Sequence, residues 1–304
     1  MDICRTLLEK IDGQKPKIRS SVKVWYVNDS KLWYLTDEQA EGYLQASHSD
    51  EYKSGMQDAE TNLIERNLDQ IVDQLEMQVK VIDLGCGEAL KTLKILRETR
   101  QRGKQVIFYP VDISPRILDL AIRNAEEAGI ETYGLQEDFE QLDQLLSKTK
   151  PALQTFYFLG ANFVNFNSDS ILSTLKANMR GNDVIYFSAQ TSDGRISNIV
   201  AGYSTSEARN FAFQTIKQLG FGPDDVSYNA KFNEDTRGVE TYFTINRIPE
   251  KLRKSKLSSG DEIIVTTSYK PTLKDFTLVA EKYFAGELLF NENRNYVGFL
   301  GRIK

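Results

Sequence analysis

A short run of β-branched residues followed at once by a glycine turn most constrains what this chain can fold into. The run 79–84 is short and is built mainly from β-branched and other apolar residues, which is typical of a buried parallel strand. Gly85, Cys86 and Gly87 follow directly, and residues 90–100 then repeat apolar positions at helical spacing. This spacing predicts a strand, a glycine-rich turn and a helix in succession, which is the first unit of a parallel α/β sheet.

The same alternation of strand and helix continues along the chain. A helix over residues 58–76 precedes the first strand, and Pro115 marks the predicted start of a later helix. Strands that alternate with helices imply right-handed crossovers and a parallel sheet. The predicted strands are 79–84, 105–114, 155–163 and 182–191, with a further one near 131–136, and the predicted helices that follow include 115–129 and 169–180.

The alternation of predicted strands and helices ends after Asp193. Residues 206–221 are helical in pattern, whereas 239–248 and 261–270 alternate like antiparallel strands. The tail returns to a helix at 272–284, followed by a hairpin around the turn-rich NENRN. We therefore predict a doubly wound, Rossmann-like α/β domain from residues 62–194 and 270–304. An inserted α+β substrate-binding lobe would comprise 1–61 and 195–269.

Composition excludes several classes of function. The net charge of −5 and the pI near 5.3 argue against a generic nucleic-acid or anionic-membrane surface, and no apolar run is long enough to span a bilayer. The chain has two cysteines, Cys4 and Cys86, and one histidine, His48, and they are not spaced like the ligands of a metal site. No nucleophile elbow of a triad hydrolase lies near the histidine. We expect a cytoplasmic protein that binds no metal, no nucleic acid and no membrane; its oligomeric state is open.

The glycine turn is the predicted cofactor site. In open α/β sheets ligands bind beyond the carboxyl ends of the strands, where glycines let the backbone approach the ligand closely. Asp112, at the end of the second strand, can bind ribose hydroxyls, and Asp83 lies just before the turn. Leu90 occupies the third glycine position of a dinucleotide motif, which favours S-adenosylmethionine over NAD. The alternative is that the glycines only form a tight turn.

Asp138 and Phe139 follow the region in which the strand near 131–136 ends. A carboxylate beside an aromatic ring there could accept the adenine amino group while the ring is held by packing. The alternative is that Asp138 caps a helix, a position that aspartate favours.

With these residues in place, the chain resembles the histidine Nα-methyltransferases of ergothioneine biosynthesis. That family has a lysine and a threonine after the glycine turn, and most class I methyltransferases have no lysine at that position. The resemblance covers most of the chain. The matches run in the order of the family's motifs: Gly85, Gly87, Lys91 and Thr92 in DLGCGEALKT, Asp112 in PVDIS, Asp138 and Phe139 in EDF, Asn165 in FLGANFVNF, Tyr203 in AGYSTSEARNFAF and, more loosely, Tyr52 in SDEYKSG.

The resemblance implies a class I methyltransferase fold, S-adenosylmethionine as cofactor and a role for each matched residue. Asn165 and Tyr203 would be the catalytic residues that position the substrate amine. The implied cofactor-binding residues are Gly85, Gly87, Lys91, Asp112, Asp138 and Phe139, and the implied substrate-binding residues are Tyr52, Asn165, Tyr203, Thr266 and Ser268. From their sequence alone, Asn165 could instead cap the following helix, and Tyr203 could be a packed tyrosine.

The substrate-reading segment departs from the family. In GDEIIVTTSYK, Ser268 and Lys270 match the family's pattern, but Thr266 stands where the family has a glutamate, and Val164 replaces a smaller residue before Asn165. A threonine hydroxyl cannot supply a carboxylate's charge to an N–H donor. We therefore expect methylation of the α-amino group of an amino acid or a related small amine, histidine-like or aromatic. A protein or peptide methyltransferase and a non-catalytic S-adenosylmethionine-binding protein are the alternatives.

Overall fold

A computed structural model describes residues 2–50, 57–194 and 196–304. The strands are β1 (Lys17–Arg19), β2 (Val22–Tyr26), β3 (Gln78–Leu84), β4 (Gln105–Asp112), β5 (Glu131–Thr132), β6 (Leu135–Gln136), β7 (Gln154–Phe158), β8 (Val184–Gln190), β9 (Val226–Asn233), β10 (Gly238–Ile245), β11 (Glu262–Tyr269), β12 (Phe284–Phe290) and β13 (Tyr296–Ile303). The α-helices are α1 (Ile3–Gly13), α2 (Asp37–His48), α3 (Asp58–Arg66), α4 (Leu68–Asp73), α5 (Leu90–Gln101), α6 (Pro115–Glu127), α7 (Leu142–Ser147), α8 (Ser168–Asn178), α9 (Ile196–Ala201), α10 (Ser206–Gln218) and α11 (Leu273–Tyr283). Short 3₁₀ turns lie at Ser30–Trp33, Gly160–Asn165, Pro223–Asp225 and Glu250–Leu252.

The chain divides into two compact units, each built from two stretches of sequence. One comprises Met1–Gly55 and Arg195–Tyr269, and the other comprises Met56–Gly194 and Lys270–Lys304. The second unit is called the sheet unit below because it contains the larger sheet, and the first is called the inserted unit.

The sheet unit has strand order β12-β13-β8-β7-β3-β4-β5, with β6 also pairing with β4. Strands β3, β4, β7 and β8 are parallel, and β13 runs antiparallel to β8. Helices α3 to α6 bury their apolar residues on one face of this sheet, and α7, α8 and α11 bury theirs on the other. Because both faces are covered, β3, β7 and β8 are buried almost throughout.

The inserted unit has a five-stranded sheet of order β1-β2-β11-β10-β9. The two ends of its sequence meet where β2 lies parallel to β11, with Trp25 opposite Ile263. Helices α1 and α10 pack one side of this sheet through a core that includes Leu7, Ile216 and Phe243. The parallel pairing ties the N-terminal stretch of the chain to a strand more than two hundred residues later.

The predicted doubly wound α/β architecture is confirmed: helices alternate with parallel strands, α6 begins at Pro115, β10 and β11 are antiparallel, and β12 and β13 form the hairpin. Three local details differ from the pattern. The helix predicted over 58–76 breaks at Asn67, whose carboxamide donates to the carbonyl oxygens of Leu63 and Phe290. The strand predicted over 155–163 ends at Phe158, because Gly160 takes a φ of +50° and begins a 3₁₀ turn.

The third detail concerns residues 131–136. They form two short pieces, β5 and β6, which both pair with β4, rather than one continuous strand. Between them the backbone N–H of Tyr133 still donates to the carbonyl oxygen of Phe108. In the ranges that the structure describes, every helix is too short or too polar to cross a bilayer.

Candidate active site

The glycine turn after β3 is held against the end of β4. The backbone N–H groups of Gly85 and Cys86 both donate to the carbonyl oxygen of Val111, at 2.9 and 3.0 Å. Gly85 and Gly87 have φ values of +74° and +54°, in the region that favours glycine. A Cβ on Gly85 would lie 2.8 Å from Nδ2 of Asn162, whose carboxamide donates to the Gly85 carbonyl oxygen. The turn therefore requires glycine for both conformation and space.

The turn continues into α5 through Ala89, which also takes a left-handed conformation with a φ of +58°. Helix α5 then begins at Leu90 without a side-chain cap. Ala89, at the N-cap position, therefore supplies no side-chain acceptor to the first backbone N–H groups of the helix. A left-handed alanine is uncommon, and the sequence pattern did not indicate it.

Asp112, the last residue of β4, is buried beside this turn. One carboxylate oxygen accepts the Ser114 N–H at 2.9 Å, and the other lies 3.4 Å from the Gly87 nitrogen. Burial raises the pKa of Asp112 to about 6, although the backbone N–H groups oppose the shift. The carboxylate keeps lone pairs that can accept hydroxyl donors.

Asp83 fastens the first turn of α5 to β3. Its buried carboxylate accepts a short hydrogen bond from the Thr92 hydroxyl. Burial raises the pKa of Asp83 to about 7, and the Thr92 bond opposes that shift. Thr92 is one of the residues that carry the family resemblance, and its contact explains why a threonine follows the lysine.

Lys91 forms an ion pair with Glu60 of α3, at 2.5 Å between Nζ and Oε2. Glu60 is buried, and its other oxygen accepts the Ala161 N–H and the Ser188 hydroxyl, both at 2.7 Å. Glu60 could not be identified from sequence patterns, because its partners lie 31, 101 and 128 positions further along the chain.

Asp138 and Phe139 have different surroundings. Asp138 Oδ1 accepts the Glu140 N–H at 3.0 Å, and α7 begins later with Gln141 at its N-cap position, so Asp138 is not the helix cap. The Phe139 ring is nearly buried and packs edge-on against Phe166, with 4.8 Å between ring centroids.

Phe139 also reaches the glycine turn. Its Cε1 lies 3.3 Å from the position that a Cβ on Gly85 would occupy. The ring therefore borders the same space as the glycine backbone.

Asn165 ends the 3₁₀ turn that follows β7, and it is half-buried. The cap of α8 is Asn167, whose side chain accepts the Ser170 N–H at 3.0 Å, so the capping alternative for Asn165 is wrong. Within the described residues the Asn165 carboxamide makes no hydrogen bond, which leaves both its donor and its acceptor available.

The remaining predicted residues belong to the inserted unit. Tyr203 follows α9, is half-buried, and its carbonyl oxygen accepts the Tyr228 hydroxyl at 2.5 Å. Thr266 and Ser268 are buried on β11, where the Thr266 hydroxyl lies 2.6 Å from that of Thr241 on β10.

Tyr52 lies outside the described residues. The structure brings the glycine turn, Lys91, Asp112 and Phe139 together in the sheet unit. Asn165 lies in that same unit, on the turn whose Asn162 contacts Gly85.

The groups around the glycine turn fit S-adenosylmethionine. Gly85 and Gly87 present backbone that no Cβ covers, the buried Asp112 carboxylate keeps lone pairs for ribose hydroxyls, and Lys91 can pair with the methionyl carboxylate.

Comparison with known proteins agrees with this chemistry. A family model described as "Histidine-specific methyltransferase, SAM-dependent" matches residues 31–299. Ergothioneine biosynthesis protein 1 of Schizosaccharomyces pombe is 26% identical over 130 residues, which are 40% of this chain and 17% of that protein. The matched part of the chain thus spans only about a sixth of that relative.

The chain is also similar to proteins of known structure, one of which shows the same fold. The PH0226 protein from Pyrococcus horikoshii OT3 gives a TM-score of 0.51 at 15% identity, covering 88% of this chain and all of that one. An S-adenosylmethionine-dependent methyltransferase from Clostridium acetobutylicum ATCC 824 gives 0.44 at 12% identity, covering 81% and 91%. Because the family model spans most of its length, the chain belongs to the histidine-specific, SAM-dependent methyltransferases and is an enzyme that uses S-adenosylmethionine as its methyl donor.

Proposed function

We propose that this enzyme methylates the α-amino group of an amino acid or a related small amine. The observation that carries the proposal is Asn165. Its carboxamide stands on the turn beyond the carboxyl end of β7, it does not cap α8, and it makes no hydrogen bond to any described residue. A half-buried amide with both its donor and its acceptor available is suited to holding an amine by its N–H groups.

The residues proposed to bind the cofactor lie in the sheet unit, which also contains Asn165. Gly85 and Gly87 offer backbone groups to S-adenosylmethionine. Asp112 accepts hydrogen bonds from its ribose hydroxyls, and Lys91 binds its methionyl carboxylate. Asp138 and Phe139 hold the adenine, with the Phe139 ring packed against it. S-adenosylmethionine supplies an electrophilic methyl group on a sulfonium when it is bound.

Methyl transfer requires the protein mainly to position the amine close to the methyl group. When bound, S-adenosylmethionine would supply its methyl group to the amine nitrogen and leave as S-adenosylhomocysteine. Asn165 and Tyr203 would contribute by holding the amine close to that methyl group, and such placement supplies much of the rate acceleration. The substrate's ammonium must lose one proton before attack, so we expect turnover to rise with pH until the bound amine is neutral.

The remaining substrate-binding roles in this proposal are those that the family resemblance implies. Tyr203 and Tyr52 bind the amino acid's polar groups, and Thr266 and Ser268 face its side chain. Thr266 is neutral and its hydroxyl contacts that of Thr241, so position 266 offers no carboxylate to an imidazole N–H. We therefore expect the preferred acceptor to differ from histidine, with aromatic amino acids as the first candidates.

The test is calorimetric titration with S-adenosylhomocysteine, followed by histidine, tryptophan, tyrosine and small amines added to that complex. Each amino acid that binds is then incubated with S-adenosylmethionine, and the methylated nitrogen is identified by mass spectrometry. Methylation of one free amino acid at its α-nitrogen supports the proposal. Nucleoside binding with methylation only of peptides or of a side-chain atom overturns it in favour of a different acceptor.

A further inference from the structure

Glu60 is a buried carboxylate that joins three separate parts of the sheet unit. It lies on α3 and is 2% exposed. One oxygen accepts Lys91 Nζ at 2.5 Å, and the other accepts the Ala161 N–H and the Ser188 hydroxyl at 2.7 Å each. A buried charge is tolerated only when it is paired and hydrogen-bonded, and Glu60 meets both conditions.

The two partners of this ion pair are exposed to different extents. The Glu60 side chain is 3% exposed, whereas that of Lys91 is 33% exposed. An ammonium has three N–H donors, and Glu60 takes one of them. Lys91 therefore carries a fixed positive charge in the first turn of α5, two residues after Ala89, where it can still donate to an anion.

S-adenosylmethionine contains only one anionic group, the carboxylate of its methionyl part. We infer that Glu60 is a positioning residue that holds the Lys91 ammonium in place for this carboxylate. A free lysine has many rotamers, and each must be given up when it binds a ligand. Because Glu60 already restricts Lys91, less conformational freedom is lost on binding.

The same carboxylate holds the turn that carries Asn165. A Cβ on Gly160 would lie 3.1 Å from Glu60 Oε1, and the next residue, Ala161, donates its N–H to that oxygen. Asn162 then donates to the Gly85 carbonyl oxygen. Glu60 thus connects the lysine proposed to bind the cofactor with the turn proposed to bind the amine.

The substitution Glu60→Gln separates the contact with Lys91 from the contacts with Ala161 and Ser188. In Glu60→Gln the amide oxygen can still accept from Ala161 and Ser188, but the amide NH₂ would face the Lys91 ammonium and cannot accept its hydrogen bond. A matched control is Glu65→Gln. Glu65 also lies on α3 and pairs with Lys94 of α5 at 2.6 Å, but that pair is 50% and 36% exposed.

Two nucleosides distinguish positioning from general support of the fold. S-adenosylhomocysteine carries the amino-acid carboxylate, whereas 5′-methylthioadenosine has the adenosine and a thioether but no amino-acid part. We expect Glu60→Gln to weaken binding of S-adenosylhomocysteine about tenfold and to change that of 5′-methylthioadenosine less than about twofold. Glu65→Gln should change neither affinity.

A double variant completes the test. Lys91→Met should weaken S-adenosylhomocysteine at least as much as Glu60→Gln does. Adding Glu60→Gln to Lys91→Met should cause no further loss, because the glutamate acts through the lysine. The double variant also removes the unpaired buried charge that Lys91→Met alone would leave.

Three results would overturn the inference: equal weakening of both nucleosides by Glu60→Gln, unchanged or tighter S-adenosylhomocysteine binding, or additive losses in the double variant. The inference rests on the cofactor role proposed for Lys91 and not on the acceptor. If both nucleosides bind as expected but no amino acid is methylated, the proposed acceptor is wrong and the role of Glu60 stands.

Discussion

The hydroxyl of Tyr228 donates a hydrogen bond to the carbonyl oxygen of Tyr203, with 2.5 Å between the oxygens. Tyr228 lies on β9 and packs against Phe243 of β10, with ring centroids 5.2 Å apart. Burial raises the pKa of Tyr228, so its hydroxyl keeps its proton and remains a donor at physiological pH. The backbone at Tyr203 is therefore fixed to the core of the inserted unit.

Tyr228→Phe should loosen Tyr203 without removing it. We expect a several-fold higher KM for the amine acceptor, an unchanged affinity for S-adenosylhomocysteine, and a loss of about 1 kcal/mol in the free energy of unfolding. Steady-state kinetics and thermal unfolding measure these effects. Tyr242→Phe in the neighbouring strand is the control, and equal effects of both variants on KM would refute the link to Tyr203.

Two asparagines on the segment after β7 should separate catalysis from stability. Asn165→Ala should lower turnover by about a hundredfold or more while leaving stability and cofactor affinity nearly unchanged. Asn167→Ala should lower the free energy of unfolding by about 1 kcal/mol, because the cap of α8 is lost, while turnover per folded molecule is kept. Turnover assays and chemical denaturation of both variants provide the measurements. Full activity in Asn165→Ala would exclude this residue as the amine anchor.

Cofactor affinity should depend on pH through Asp112, whose pKa is raised to about 6 by burial. The ionised carboxylate is the better acceptor for two ribose hydroxyls, so bound ligand favours the charged form. As the pH falls below about 6, the free enzyme takes up a proton that binding must release. The affinity for S-adenosylhomocysteine should then fall by up to about tenfold per pH unit.

Titrations from pH 7.5 to pH 5 measure this dependence. Asp112→Asn should bind more weakly at pH 7.5 and show a flatter profile, because the residue no longer titrates. A profile of unchanged slope in that variant would assign the dependence to another group.

Asp83 should make the folded state less stable as the pH rises. Its folded pKa is about 7, above the value of about 3.9 for an unfolded aspartate. The folded protein therefore binds more protons between these values, and the stability that this proton contributes is complete below about pH 4 and is lost as the pH rises through 7. This contribution to the free energy of unfolding is on the order of 4 kcal/mol.

Asp83→Asn keeps an oxygen that can accept the Thr92 hydroxyl but cannot ionise. Chemical denaturation between pH 5 and pH 8 should show a smaller decline in stability for the variant than for the wild type. Parallel curves for the two proteins would show that Asp83 is not responsible.

The elements that sequence could predict are those whose signals are local. The glycine turn, the start of α6 at Pro115 and the alternation of strands with helices depend on neighbouring residues, and the structure has all of them. The break at Asn67 was missed because it depends on a hydrogen bond to Phe290, 223 positions away. The pairing of β2 with β11 was missed for the same reason.

In the candidate site, too, the residues that sequence could predict are those with local signals. Residues in or beside the turns, such as Gly85, Asp112 and Asn165, could be found from motifs and spacing. Glu60 and Asn162 could not, because each acts through a contact that only the folded chain creates. The motif residues therefore mark where the ligand is proposed to bind, and the residues that hold them in place were found only in the structure.

The contact between the hydroxyls of Thr241 and Thr266 has a consequence for recognition, since either oxygen can be the donor. Whichever hydroxyl donates to the other, the second keeps its hydrogen, and both oxygens keep lone pairs. When the two hydroxyl groups rotate, the pair can form a hydrogen bond with either a donor or an acceptor at similar free energy. A carboxylate can only accept. In the proposed substrate site, the threonine pair would thus accommodate methyl acceptors that present either a donor or an acceptor of hydrogen bonds.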